Sequence, residues 1–334
     1  MLRPSGGAMF DTTMLRSLGP ISLEAIQEAR RRIHGSAVRT PLIRFESERT
    51  SAQIWLKLEN LQPVGSFKIR GAASAMLALP PETLARGVCT ASAGNMAQGV
   101  AWMARQLGIP CTVVVPESAP RAKIDAVERL GARTVEIPFT AWWQTLVDRA
   151  YPGVDGHFIH PVADPDVMAG NGTIGLEIVD DLPDVDAILV PFGGGGLSCG
   201  IASALRALQP NARVLGCEPS TAAPLNASWS ARRPVAIDRV ASFVDGCGGR
   251  AILPEMWPLV STLLAGAYAP TLDEIATAVR CLAERSKIVA EGAGAVALAA
   301  ALGSNAPDGN IVCIVSGGCI DTDKLAVILG GGRA

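Results

Sequence analysis

The sequence has no C-x-x-C pair, no long apolar run and no excess of charge of either sign. Its eight cysteines, Cys89, Cys111, Cys199, Cys217, Cys247, Cys281, Cys313 and Cys319, are scattered through strand-like and helical stretches. That pattern suits buried thiols in a reducing compartment better than a disulfide framework or a zinc site. Of three histidines, His157 and His160 are spaced so that two ligands could stand together. No third ligand accompanies them, so ordinary loop or core histidines are the simpler reading and no metal is expected. The longest small-apolar run, Gly292 to Gly303, falls short of the roughly 20 residues a membrane helix needs. A net charge of −2 and a pI near 6.0 leave no electrostatic footprint for nucleic acid or an anionic membrane, and a small-molecule substrate is the better expectation. Met1 to Pro20 lacks a charged-then-apolar leader and reads as a loose tail on a cytoplasmic protein.

What is present is a chain of 334 residues, 49% apolar and 18% charged, enough for one large or two medium domains around a sizeable core. Ser22 to His34 predicts an amphipathic helix, capped by Ser22 with Glu24 nearby and ending in Arg30-Arg31-Arg32, whose charges complement the helix dipole. From Gly87 onward, short strands alternate with helices. The predicted strands are 88–91, 111–115, 134–137, 187–191, 214–218 and 310–315. The predicted helices are 96–107 (closed by Gly108), 119–130, 172–181, 198–208, 272–286, 291–302 and 323–329. Residues 145–159 have no clear pattern, Trp142 and Trp143 read as packing, 163–171 reads as loop, and 224–258 as a loop-rich connection. The alternation predicts parallel α/β construction.

Three predicted turns end strands and start helices: Ser92-Ala93-Gly94-Asn95, Gly193-Gly194-Gly195-Gly196, and Ser316-Gly317-Gly318-Cys319. In an open α/β sheet such turns converge on one crevice outside the carboxyl ends of the strands. Four glycines at a helix N-terminus let the backbone turn several N–H groups toward one anion, a phosphate cradle. Leu197 stands where the dinucleotide fingerprint needs glycine, and no Gly-Lys-Ser/Thr follows, so neither a dinucleotide site nor a Walker loop is expected. Lys68 sits at the entry of the helix predicted over 69–79, after the apolar stretch 54–58. Desolvation and the positive helix end both lower its pKa toward the amine that forms a Schiff base. A lysine at a helix start is ordinarily a solvated surface residue; the phosphate cradle is what argues otherwise.

The segments Ser66-Phe67-Lys68-Ile69-Arg70-Gly71-Ala72, Ser92-Ala93-Gly94-Asn95, Gly193-Gly194-Gly195-Gly196-Leu197 and Ser316-Gly317-Gly318 resemble those of the serine/threonine dehydratase family of pyridoxal-phosphate enzymes, fold type II, tryptophan-synthase-β-like. The resemblance covers residues 21–330 in order and spacing. It implies two open, twisted, mostly parallel sheets flanked by helices: a larger cofactor domain (21–85 and 163–334), a smaller mobile domain (86–162) and a tail (1–20). It implies that Lys68 holds pyridoxal 5'-phosphate as a Schiff base and, once displaced, takes the substrate's α-proton. Phe67 would lie against the ring, Asn95 would bond its phenolic oxygen, Gly193, Gly194, Gly195, Gly196 and Leu197 would form the phosphate loop, and Ser316 would face the pyridine nitrogen. Ser92 and the backbone of Ala93, Gly94, Asn95 and Met96 would bind the substrate carboxylate. Glu291 would lie near the ring, although a helix-start carboxylate favoured by the dipole accounts for it equally well.

The implied activity is α,β-elimination on L-threonine, L-serine or a related β-hydroxy amino acid, giving a 2-oxo acid and ammonia, in a cytoplasmic homodimer. A β-replacement enzyme and a non-catalytic cofactor-binding protein remain open as alternatives. Serine at 316 does not keep the ring nitrogen protonated as an aspartate would, which favours elimination. Serine-racemising relatives carry a serine acid where this chain has Ala93, so racemisation is not expected. Met96 replaces the family's histidine and is expected to alter pocket polarity; Cys319 replaces an asparagine and reads as a packing variant more than a reactive thiol. Some relatives bind a divalent cation through residues matching Glu218 and Ala222, but Pro224 stands at the third position. No room is left after residue 330 for a regulatory domain, so feedback control by isoleucine is not expected.

Overall fold

The computed structural model describes residues 18–332, so 1–17, the greater part of the expected tail, lie outside the described residues. In chain order the elements are α1 (Leu23–Arg32), β1 (Leu42–Phe45), β2 (Gln53–Lys57), α2 (Lys68–Leu77), α3 (Pro81–Leu84), β3 (Val88–Ala91), α4 (Asn95–Leu107), β4 (Cys111–Pro116), α5 (Arg121–Glu128), β5 (Arg133–Ile137), α6 (Phe139–Asp148) and β6 (His157–Phe158). They continue as α7 (Pro165–Asp181), β7 (Ala187–Pro191), α8 (Gly196–Leu208), β8 (Arg213–Cys217), α9 (Pro224–Ala231), α10 (Trp257–Leu263), β9 (Gly266–Tyr268), α11 (Leu272–Ser286), α12 (Gly292–Ala301), β10 (Asn310–Ile314) and α13 (Thr322–Leu329).

The strands form two sheets. A six-stranded sheet runs β1-β2-β10-β7-β8-β9, and a four-stranded sheet runs β5-β4-β3-β6. The β1–β2 pair is antiparallel and every other pair is parallel. All four strands of the smaller sheet fall inside 86–162, while the larger sheet is assembled from chain on both sides of that segment. The central strands β7 and β3 are buried at every residue, as parallel strands covered on both faces must be.

Local chemistry explains most boundaries. Ser22 caps α1 by accepting from Ala25 N at 3.1 Å. The arginines at its end are held by carboxylates: Arg30 meets Asp180 at 3.1 Å, Arg32 meets Asp166 at 3.1 Å, and Arg31 meets Glu28.

Of the stretch 163–171, expected as loop, residues 165–171 belong instead to α7. Asp164 caps it by accepting from Asp166 N and Val167 N, and Pro165 takes the first helical position. Within this helix a Cβ on Gly170 would meet the Arg70 carbonyl and Ser74. The glycine is there so that α7 can press against α2. Residues 145–159 resolve into the end of α6 and the two-residue β6, and α9 and the start of α10 occupy the ends of the expected 224–258 connection.

Candidate active site

Strands β3, β7 and β10 deliver the three predicted turns from their carboxyl ends, each leading onward toward a helix. Beside them lies the 65–68 segment. Ser66 and Gly317 form an isolated antiparallel bridge, Phe67 N donates to Ser316 O at 3.0 Å, and Gly318 N donates to Gly65 O at 2.9 Å. The third turn therefore fixes the start of α2, whose first residue is Lys68.

Lys68 is half-buried, and burial lowers its pKa to about 8 against the opposing attraction of Glu291. Its Nζ stands 3.4 Å from Pro161 O and 5.0 Å from the centre of the Phe67 ring. The other lysines are engaged elsewhere: Lys57 with Glu177 at 2.6 Å, Lys123 with Asp245 at 2.7 Å, Lys324 with Asp321 at 3.3 Å, and Lys287 with the Glu284 carbonyl at 2.5 Å.

The tetraglycine turn precedes α8, whose cap residue Gly195 offers no side chain to the first-turn amides and takes φ +98°. Those amides have no carbonyl partners within their helix. A Cβ on Gly194 would stand 2.6 Å from both methyls of Val162, so backbone alone can occupy this position. Leu197 is 6% exposed and belongs to the core under α8. Gly194→Val is expected to lower pyridoxal phosphate affinity by about tenfold or more by pushing the turn off Val162. Equilibrium dialysis with absorbance detection measures that loss.

Asn95 opens α4, and its Nδ2 donates to Glu291 Oε1 at 2.8 Å. Glu291 is 6% exposed and stands at the N-terminal boundary of α12 in an extended conformation, with no side-chain bond to the helix amides. Burial, reinforced by Asp245, raises its pKa to about 7, against the Asn95 hydrogen bond and the charges of Lys123 and Lys68. Its carboxyl thus links the two sheet-bearing halves of the chain through Asn95. The Ser92 hydroxyl accepts from Gly94 N at 3.2 Å and shapes the turn. Ser92, Ala93, Gly94 and Asn95 are half-buried, whereas Met96 is 2% exposed and packs with Ile69, Ala72 and Val100. Its thioether fills core between α2 and α4, so the expected change in pocket polarity finds no support in its placement. Ser316 is buried and its hydroxyl donates to Ala293 O at 3.4 Å. Cys319 packs beside Val64 and Gly65, and burial pushes its thiol up to about 11, far from a reactive thiolate.

These residues fit pyridoxal phosphate: a depressed, half-buried lysine amine at a helix start, and a glycine cradle at the uncapped N-terminus of a 13-residue helix. His160, weighed above as a possible ligand, belongs to no group of three or more His, Cys, Asp or Glu that could hold a metal ion among the described residues, and its Nδ1 accepts from Val162 N at 3.0 Å and Ala163 N at 2.8 Å. Glu218, 0% exposed, accepts from the amides of Leu225 and Asn226 at 3.1 and 2.8 Å and so caps α9.

Two features carry no signal in the sequence. One is a buried charge cluster behind Lys68. Arg70 donates to Glu59 at 2.8 and 2.9 Å and to Glu177 at 2.7 and 2.8 Å, while Lys57 donates to Glu177 and to Thr40 O, both at 2.6 Å. The other is the bridge from Lys123 on α5 to Asp245, which joins the same halves as Asn95 and Glu291 do.

Burial lifts Glu218, like Glu291, from the ordinary 4.5 to about 7, although three donors from Asn226 and Leu225 oppose it. The folded chain therefore holds more protons than the unfolded chain between about 4.5 and about 7, and stability falls as pH rises through that window. Glu218→Gln is expected to flatten part of that fall. Urea midpoints of both proteins at about pH 5 and about pH 7.5 measure it, and an equal fall in both would remove Glu218 from the account.

Comparison with known proteins agrees with this geometry. The family described as pyridoxal-phosphate dependent enzyme matches residues 33–317. An L-threonine ammonia-lyase of Geobacter sulfurreducens is 42% identical over 91% of this chain and 77% of its own length. A catabolic L-threonine dehydratase of Staphylococcus aureus is 37% identical over 96% and 95%. Among solved structures, maize serine racemase superposes with a TM-score of 0.84 at 30% identity, covering 92% of this chain and 96% of its own. The processed form of threonine deaminase isoform 2 from Solanum lycopersicum does so with 0.81 at 32%, covering 96% and 92%. The chain thus belongs to the pyridoxal-phosphate dependent enzyme family, in its threonine dehydratase branch, and is an enzyme that works through that cofactor.

Proposed function

We propose that the chain is an ammonia-lyase acting on L-threonine, L-serine or a related β-hydroxy amino acid, releasing a 2-oxo acid and ammonia. The observation that carries this reading is Lys68, a depressed amine that faces the carbonyl of Pro161, the residue before the Val162 that lies against the glycine cradle. When bound, pyridoxal phosphate supplies an electron sink that acidifies the substrate's α C–H bond. The cradle at the start of α8 receives a phosphate through backbone N–H groups, and the turn at the start of α4 receives a carboxylate in the same way. Lys68 is the base at Cα: with a pKa of about 8 it is partly in its amine form at neutral pH and can both take and return a proton. Phe67 packs beside that amine, Asn95 is oriented by Glu291, and Ser316 offers a neutral hydroxyl where a carboxylate would add charge, which favours prompt loss of a β-hydroxyl.

Ala93 argues against racemisation, the activity named for the maize relative, because a methyl group cannot carry a proton to the other face of Cα. A homodimer remains part of this proposal; among the described residues no helix is long and apolar enough to cross a membrane. The test is to assay 2-oxo acid and ammonia from a panel of β-hydroxy amino acids, with and without added thiol. Oxo acid and ammonia in equal amounts without thiol support the lyase, product formation only with thiol supports β-replacement, and a bound chromophore inert to the whole panel means a binding protein.

A further inference from the structure

Between β6 and α7 the chain makes a turn, Pro161-Val162-Ala163, that touches both halves of the proposed cofactor site. Pro161 O faces the Lys68 amine at 3.4 Å. Val162 lies against the glycine cradle: its methyls stand 2.6 Å from where a Cβ on Gly194 would be, and its carbonyl 2.9 Å from where one on Gly196 would be. One side chain makes this turn. His160, 1% exposed, accepts through Nδ1 from both Val162 N at 3.0 Å and Ala163 N at 2.8 Å. Two N–H groups on Nδ1 require its lone pair, so the ring is neutral with its proton on Nε2. Burial holds it so, pushing its pKa down to about 3, with Arg149 and Lys68 adding and the Leu146 carbonyl opposing. The turn is anchored at its entry by Thr90 Oγ1, which donates to Ile159 O at 2.8 Å, and at its exit by Arg149, which donates to Ala163 O at 2.7 Å. Neither anchor sets the positions of Pro161 and Val162; the histidine does.

We propose that His160 is a positioning residue: by accepting the N–H groups of Val162 and Ala163 it folds the turn that fixes the glycine cradle relative to Lys68. The inference rests on the reading of that cradle and lysine as the pyridoxal phosphate site. His160 touches neither group itself and acts through Val162 and Pro161. An error of about 1 Å in such a spacing is enough to cost on the order of a hundredfold in a reaction that depends on it. Asparagine can replace the acceptor, because its Oδ1 occupies the place of Nδ1 and makes the same kind of side-chain-to-backbone turn. Leucine cannot.

The experiment compares the whole native chain, His160→Leu and His160→Asn, each first freed of bound cofactor, by equilibrium dialysis against graded pyridoxal 5'-phosphate, and against pyridoxal, which has no phosphate. The expected result is a loss of about tenfold or more in the preference for the phosphorylated compound in His160→Leu, with His160→Asn returning it to within about threefold of native. A general loss of structure lowers both affinities together and leaves the preference unmoved. An unmoved preference in His160→Leu, or a His160→Asn no better than His160→Leu, overturns the proposal. Should His160→Leu fail to fold, Val162→Ala decides: a reduced preference supports the proposal and an unchanged one overturns it. A native chain that binds neither compound overturns the reading of the site and this inference with it, whereas native binding with an indifferent His160→Leu overturns the inference alone.

Discussion

Lys68→Ala is expected to lower turnover by on the order of 10⁴-fold or more and to remove the visible absorbance band of the purified protein. Two effects combine. The covalent anchor for the cofactor is lost, and so is the base at Cα, and each depends on the same amine. No neighbour can take over: Lys57, Lys123, Lys287 and Lys324 are all engaged by carboxylates or carbonyls elsewhere. Glu291 is the other titrating group at hand, yet its carboxyl is held by Asn95 and its pKa of about 7 belongs to a buried acid. The folded state should be nearly unaffected, since Lys68 makes one long hydrogen bond, to Pro161 O, and lies at the very start of α2. Steady-state assay beside a urea unfolding curve separates the two quantities. Turnover within about tenfold of native would mean that another group is the base.

Arg70→Met is expected to destabilise the fold by about 3–5 kcal/mol, because it leaves Glu59 and Glu177 as buried charges without their principal partner. Burial alone would push the Glu59 carboxyl up, but Arg70 outweighs it and, with the Thr40 hydrogen bond, holds it below the usual range. The four groups Lys57, Arg70, Glu59 and Glu177 sum to zero charge, and each is 6% exposed or less. Removing one cation leaves a net negative charge in the core beside α2. The site should feel it too, since Arg70 sits two residues after Lys68 and its bonds to Glu59 and Glu177 tie α2 to the turn that follows β2 and to α7. Urea unfolding measures the loss, and a shift under about 1 kcal/mol would show that the carboxyls take up protons and let the cluster relax.

How far the sequence exposes this arrangement depends on how local each signal is. The α4 helix closed by Gly108, the cap at Ser22 and the lysine at the start of α2 each lie within a few residues of chain, and the structure places them as expected. The start of α7 is missed because 163–171 reads as loop, whereas Gly170 stands within a helix for its contact with α2, an element distant in sequence. The Arg70 cluster is invisible for the same reason: Arg70 and Glu177 are 107 residues apart, and nothing in either neighbourhood marks a buried ion pair. His160 is legible in principle, since an acceptor side chain bonding two and three residues onward is a turn signal in asparagine or aspartate. In histidine the same signal reads as core. Met96 is visible as a departure, but only its burial reveals that the thioether is core packing.

The most direct test of the central claim is to reduce the protein with borohydride, digest it and locate the pyridoxyl group among its peptides. The account predicts a single modified lysine, Lys68, with Lys57, Lys123, Lys287 and Lys324 unmodified. A pyridoxyl group on any of those four, or none after incubation with pyridoxal phosphate, would contradict it.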